Sequence, residues 1–158
     1  MVGVVALAAS LAASCSDPTA IGGTAREAGV VEQIVREVAD DVPVEADQLP
    51  VVFVLGVDGT LDIEVQAGVA AALVDEVDVR FVDERVEAID ETAADLAVRE
   101  GGVMVVVEEI PPEGRTFDLE VDRYTTADDR ERLVVSFQWR SEQWTVTSTT
   151  VVSPVVTD

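Results

Sequence analysis

The sequence predicts a single α+β domain, in which a mixed sheet ending in a C-terminal antiparallel meander carries about three helices packed on one face. Helical periodicity is confined to roughly the first two thirds of the chain, and period-two alternation follows in the last third. Between the predicted helices lie short, continuous runs rich in valine, which are typical of buried central strands. These patterns favour helices and strands that are largely segregated along the chain.

The first helix is predicted over residues 24–41. Thr24 and Glu27 form a capping-box pattern, in which the two side chains accept hydrogen bonds from each other's free backbone N–H groups. An apolar stripe at helical spacing follows, and Pro43 ends the helix because it has no N–H to donate. The apolar run at 51–55 then predicts the first buried strand.

Residues 60–76 fit two structures. Leu61, Ile63 and Val65 alternate after the Asp58-Gly59 turn signal, as the return strand of a hairpin would. The same segment also keeps helical spacing and becomes rich in alanine, so a helix over about 62–76 is favoured. A glycine inside that helix, Gly68, costs about 1 kcal/mol relative to alanine.

The next strand is predicted over residues 77–82, which makes strand, helix and strand a right-handed parallel unit. Asp83 is predicted to cap a short third helix over 84–91. Val86 and Ile89 are expected to face inward from this helix. A polar stretch then follows and is interpreted as a mobile link that covers residues 92–100.

A third buried strand is predicted over 103–107, followed by three alternating strands that form the meander. The alternation places both tryptophans on the core side, and a four-residue loop over 140–143 sets the register of the last two strands. The turns predict three cross-strand pairs, namely Trp139 with Trp144, Phe137 with Val146, and Asp122 with Arg132.

The composition excludes several classes of chemistry. The net charge is −22, so nucleic acid is not an expected partner, and an anionic membrane surface repels the domain. All ten basic residues are arginine, and the chain has no histidine. Ser–His and Cys–His nucleophiles, imidazole metal ligands and lysine chemistry are therefore excluded, and no cofactor is expected. Any catalysis would depend on carboxylates, hydroxyls or arginine.

The N-terminal segment has the properties of a secretory leader. Residues 2–13 are apolar or small apart from Ser10, and twelve residues are too few for a membrane-spanning helix, which needs about 20. The length fits the apolar region of a signal peptide, about 7–15 residues. Small residues then precede Cys15, the only cysteine of the chain. The alternative is an N-terminal core helix with Cys15 as a buried thiol.

The Leu-Ala-Ala-Ser-Cys segment at 11–15 resembles the lipobox of bacterial lipoproteins. The resemblance covers the first fifteen residues and implies that Cys15 is diacylated and becomes the mature N-terminus. It implies three regions: a signal peptide at 1–14, the lipidated cysteine and a tether at 15–23, and an acidic domain at 24–158. The domain would then sit in the cell envelope, at the outer face of the cytoplasmic membrane, held by the lipid on Cys15.

Three carboxylates, Asp58, Asp83 and Glu84, are predicted to lie just beyond the carboxyl ends of the first two strands. Ligands bind at this edge in open α/β sheets. Paired carboxylates there would hold Ca²⁺ or Mg²⁺, or act as an acid and a base. In the simpler alternative, Asp58 is a turn residue and Asp83 a helix cap.

These observations together predict an envelope lipoprotein with a non-catalytic domain that binds a protein or a small molecule. A carboxylate-dependent hydrolase and a divalent-cation-binding module are the alternatives.

Overall fold

The computed structural model describes residues 23–154, and the side chains of residues 23–152. The predicted signal peptide, Cys15 and the tether up to residue 22 lie outside the described residues. The elements are, in chain order, α1 (Gly23–Ala39), β1 (Val51–Gly56), α2 (Ile63–Leu73), β2 (Asp78–Phe81), α3 (Arg85–Ala88), a 3-10 turn (Arg99–Gly101), β3 (Val103–Val107), β4 (Thr116–Tyr124), β5 (Arg130–Arg140) and β6 (Gln143–Pro154).

The six strands form one mixed sheet in the order β2-β1-β3-β4-β5-β6. β1 is parallel to β2 and to β3, whereas every later pairing is antiparallel. The α+β class, the mixed sheet and the closing meander are therefore confirmed. The segment at 63–73 is a helix, and the side chain of Asp62 caps it by accepting a hydrogen bond from the Glu64 N–H.

The main core lies between the sheet and two helices, α1 and α2. Valines and Ile34 on α1 are at most 2% exposed, and the apolar side of α2 is fully buried. A Cβ at Gly68 would lie 3.1 Å from the Cβ of Ala28, so the glycine allows α1 and α2 to approach closely. No helix within residues 23–154 combines the length and the hydropathy that crossing a membrane requires.

The third helix lies on the opposite face of the sheet from α1 and α2. Its Ala88 belongs to a second core cluster with Phe53 and Met104. These residues alternate along β1 and β3 with valines of the main core, so both faces of the central strands are apolar and both need cover. The three predicted helices are present, but the prediction that all of them pack on one face is wrong, because the single turn of α3 covers the second apolar face.

The details predicted for α3 are wrong in three respects. The helix covers only Arg85–Ala88, whereas residues 84–91 were predicted. The helix is capped at Glu84 without a side-chain hydrogen bond, so Asp83 is not its cap. The Asp83 N–H instead donates to the carboxylate of Glu87. Val86 is 47% exposed, whereas Ile89 is buried as predicted, because one turn of helix directs only part of its surface to the sheet.

The segment predicted as a mobile link is hydrogen-bonded to the meander. The Val98 N–H donates to the Thr125 carbonyl, and the Ala127 N–H donates to the Asp95 carbonyl, each at 2.8 Å. The Tyr124 hydroxyl donates to the Leu96 carbonyl, also at 2.8 Å. The segment at 92–100 is polar because most of its residues are exposed to solvent, although its backbone is hydrogen-bonded to the rest of the domain.

The register of the meander matches all three predicted pairs, Trp139–Trp144, Phe137–Val146 and Asp122–Arg132. The last turn is tighter than predicted, since Arg140 also pairs with Gln143. Ser141 and Glu142 then form a two-residue turn with φ of 49° and 65°. Positive φ at both positions is what a type I′ hairpin requires.

Asp122 gives the fold a predictable dependence on pH. It accepts hydrogen bonds from Arg132 Nε at 2.8 Å and from an Arg130 guanidinium nitrogen at 3.2 Å. The hydrogen bond from Arg132 comes first among the causes that lower the pKa of Asp122. A carboxylate with a lowered pKa stabilises the fold above its unfolded pKa, about 3.9, and loses that effect as pH falls through its folded pKa.

Replacing Asp122 with asparagine is therefore expected to lower the free energy of unfolding by about 1–2 kcal/mol at pH 7. The difference from wild type should shrink below about pH 4 as the native carboxylate is protonated. Urea unfolding between pH 2.5 and 7 measures it. Asp128→Asn, on the exposed β4–β5 turn, is the matched control and should show little effect. A loss for Asp122→Asn that is constant with pH would contradict the assignment.

Candidate functional site

A tight turn after β1 positions Asp58. The Gly56 N–H donates to the Gly59 carbonyl and the Gly59 N–H donates to the Gly56 carbonyl, both at 2.9 Å. Gly59 has φ of 106°, a conformation that favours glycine. A Cβ at Gly56 would lie 2.7 Å from the Gly59 carbonyl oxygen. The two glycines therefore fix this turn, with Asp58 at its tip.

The turn forms one wall of a crevice of about 240 Å³ at the carboxyl ends of β1 and β3. From β1 the chain leads towards β2 on one side, and from β3 it leads towards β4 on the other. Ligands bind in open α/β sheets at such a point, where neighbouring connections diverge. The polar side chains of the crevice are Glu27, Asp58, Thr60, Glu108 and Glu109.

The three predicted site residues do not share this crevice. Asp58 lines it, as predicted from its position after β1. Asp83 accepts a hydrogen bond from the hydroxyl of Thr60, so it contacts one lining residue without lining the crevice itself. Glu84 precedes α3 as its N-terminal cap residue and is exposed. The reason is that β2 lies on the far side of β1 from β3, and the crevice lies towards β3.

Three further carboxylates, Glu27, Glu108 and Glu109, line the crevice and were not in the predicted set. Glu108 and Glu109 directly follow β3, so the rule that placed Asp58 would also place them once β3 is known to be parallel to β1. Glu27 is the fifth residue of α1. No local sequence pattern indicates its position, because it depends on how α1 crosses the sheet.

Every charged side chain that lines the crevice is a carboxylate. Four carboxylates and no basic side chain are among its lining residues. Such a surface attracts positively charged groups and repels anions. Within residues 23–154, no three Cys, Asp or Glu side chains are grouped closely enough to hold a metal ion. The four carboxylates are suited to contacts with a positively charged group.

Comparisons with protein-family models, with curated proteins and with solved structures find no match for this chain.

Proposed function

We propose that this chain is a lipid-anchored, non-catalytic binding protein of the bacterial cell envelope. The observation that carries the proposal is the leader at 2–13, whose small residues lead directly to Cys15, the only cysteine. A diacylated cysteine provides stable attachment, whereas a single acyl chain binds a membrane only marginally. The folded domain would be held at the outer face of the cytoplasmic membrane.

The charge of the chain supports a covalent anchor. The chain has a net charge of −22 and is repelled by anionic lipid headgroups, so its surface offers no electrostatic route to a membrane. The first described helix begins at Gly23, and residues 16–22, which include Pro18 and Gly22, would connect it to Cys15. Such a short link would keep the acidic domain close to the bilayer.

The crevice supports a binding role. Its carboxylates favour a cationic group on a protein or a small molecule. The chain has no histidine and no lysine, the residues that most often act as general base or amine nucleophile at neutral pH. Binding therefore requires fewer assumptions than catalysis.

Replacing Cys15 with serine is expected to move nearly all of the protein from the membrane fraction to the soluble fraction, because serine cannot carry the thioether-linked lipid. The experiment expresses the full chain in a bacterium that processes lipoproteins. Membranes are washed with high salt, and fractions are compared by immunoblot. Intact-mass analysis of the membrane-bound wild type should show loss of residues 1–14 and addition of a diacylglyceryl group.

Ser14→Ala is the matched control, since it keeps a small residue before the cysteine and should leave processing unchanged. Two results would overturn the anchoring proposal. One is wild-type protein with Met1 retained and no acyl mass. The other is a Cys15→Ser variant that fractionates with membranes as the wild type does.

A further inference from the structure

A second cavity lies at the opposite end of the sheet from the crevice, between the C-terminal end of α1 and the β4–β5 turn. Its volume is about 310 Å³, and small-molecule pockets occupy roughly 300–1,000 Å³. Its apolar wall consists of Val38, Val42, Val98 and Val103. We call it the Arg123 cavity, after the one basic residue among its lining residues.

Arg123 is already surrounded by carboxylates. Its guanidinium nitrogens lie 3.2 Å from Asp41 Oδ2, 3.5 Å from Glu131 Oε2 and 3.9 Å from Asp129 Oδ2. Its side chain is only 20% exposed, whereas those of Asp41 and Asp129 are 67% and 49% exposed. One cation faces three carboxylates, so the local charge is negative and an anionic ligand is disfavoured.

The carboxylates retain acceptor capacity towards a ligand. In each ion pair Arg123 contacts one oxygen, and a carboxylate offers about four lone-pair sites on two oxygens. Asp41 and Asp129 both line the cavity together with the valines. Asp129 Oδ2 also accepts a hydrogen bond from the Thr125 hydroxyl, which leaves its Oδ1 as the acceptor for a ligand. An ammonium group placed there would form charge-assisted hydrogen bonds while its carbon chain contacts the valines.

We propose that the Arg123 cavity binds a small organic cation, namely an alkyl or similarly apolar body that carries one ammonium group. The apolar body lies against Val38, Val98 and Val103. The ammonium group donates to Asp41 and Asp129. This site is separate from the acidic crevice, and the inference does not depend on the proposed lipid anchor.

The test is a two-dimensional amide NMR titration of the full chain at pH 7 and low ionic strength, with n-hexylamine, 1-hexanol and hexanoate as probes. Hexylamine should give saturable shifts at the amides of Val98, Gly102 and Thr126, with half-saturation on the order of 1 mM. Hexanol should bind about tenfold more weakly because it lacks the charge. Hexanoate should produce no saturable shift. The amides of Gly56 and Gly59 report the crevice separately.

Asp41→Asn and Asp40→Asn form a matched pair that separates a specific contact from general charge. Asp40 is the adjacent exposed residue and does not line the cavity. Asp41→Asn should weaken hexylamine binding about fivefold to tenfold, whereas Asp40→Asn should leave it nearly unchanged. The proposal is overturned if no probe saturates these amides, if hexanol binds as tightly as hexylamine, or if both variants weaken binding equally.

Discussion

Replacing Arg26 with alanine is expected to lower the free energy of unfolding by about 3–4 kcal/mol. Arg26 is 2% exposed, although it belongs to the first turn of α1. It donates to three backbone carbonyls in the segment between β3 and β4, at 2.7 Å to Pro111, 2.9 Å to Gly114 and 3.0 Å to Glu113. Alanine would remove the donor of all three of these partly buried hydrogen bonds.

Two aromatic rings next to the Arg26 guanidinium, which also contact each other, add to this effect. The guanidinium carbon lies 4.9 Å from the centroid of Phe117 and 4.4 Å from that of Trp144. Burial lowers the pKa of Arg26, and the π faces together with the three carbonyls compensate the cation for the water it has lost. The substitution would therefore also leave a cavity beside the rings of Phe117 and Trp144.

Urea unfolding followed by far-UV circular dichroism and by tryptophan fluorescence measures the loss. Arg26→Lys should recover only part of it, because an ammonium group cannot reproduce the planar fork that donates to three carbonyls while contacting two rings. Arg140→Ala removes the same charge from an exposed position and should change stability by less than about 0.5 kcal/mol. Equal losses for Arg26→Ala and Arg140→Ala would show that the contacts of Arg26 contribute nothing.

Features of the fold that depend on local sequence patterns could be predicted from the sequence. The register of the meander follows from alternation and turn length, so the Trp139–Trp144 and Asp122–Arg132 pairs were predictable. The helix after β1 was favoured correctly over a hairpin because alanine-rich spacing outweighed a short alternation. Asp58 lies just beyond β1, where the sequence placed it, and it lines a crevice there.

Features that depend on distant contacts were not predictable. In the sequence, Arg26 looks like an ordinary polar residue near the start of a helix. Its hydrogen-bond acceptors lie at least 85 positions away along the chain, so no local pattern indicates them. Glu27 reaches the crevice for the same reason. Asp83 was wrongly interpreted as a helix cap, because its carboxylate instead binds Thr60, 23 positions earlier. No periodicity or spacing rule carries information about such contacts.

Replacing Gly56 with alanine is expected to destabilise the fold by about 2–3 kcal/mol and to change the shape of the crevice. The added Cβ would lie 2.7 Å from the Gly59 carbonyl oxygen and 3.2 Å from a methyl of Leu61. The leucine can change rotamer, but the carbonyl cannot move without breaking the paired hydrogen bonds of the turn. Asp58, at the tip of this turn, would then be displaced relative to Glu108 and Glu109.

Gly23→Ala is the matched control, because the nearest atom to its added Cβ is a flexible Glu27 carboxylate oxygen at 3.8 Å. Its effect on stability should be within about 0.5 kcal/mol. Amide NMR spectra should show changes around residues 57–61 and 107–109 in Gly56→Ala alone. If the two variants are equally stable and these amides do not shift, the turn can accommodate the new methyl group without a cost in stability. The crevice would then not be preformed, and its carboxylates would not be held in place to receive a cation.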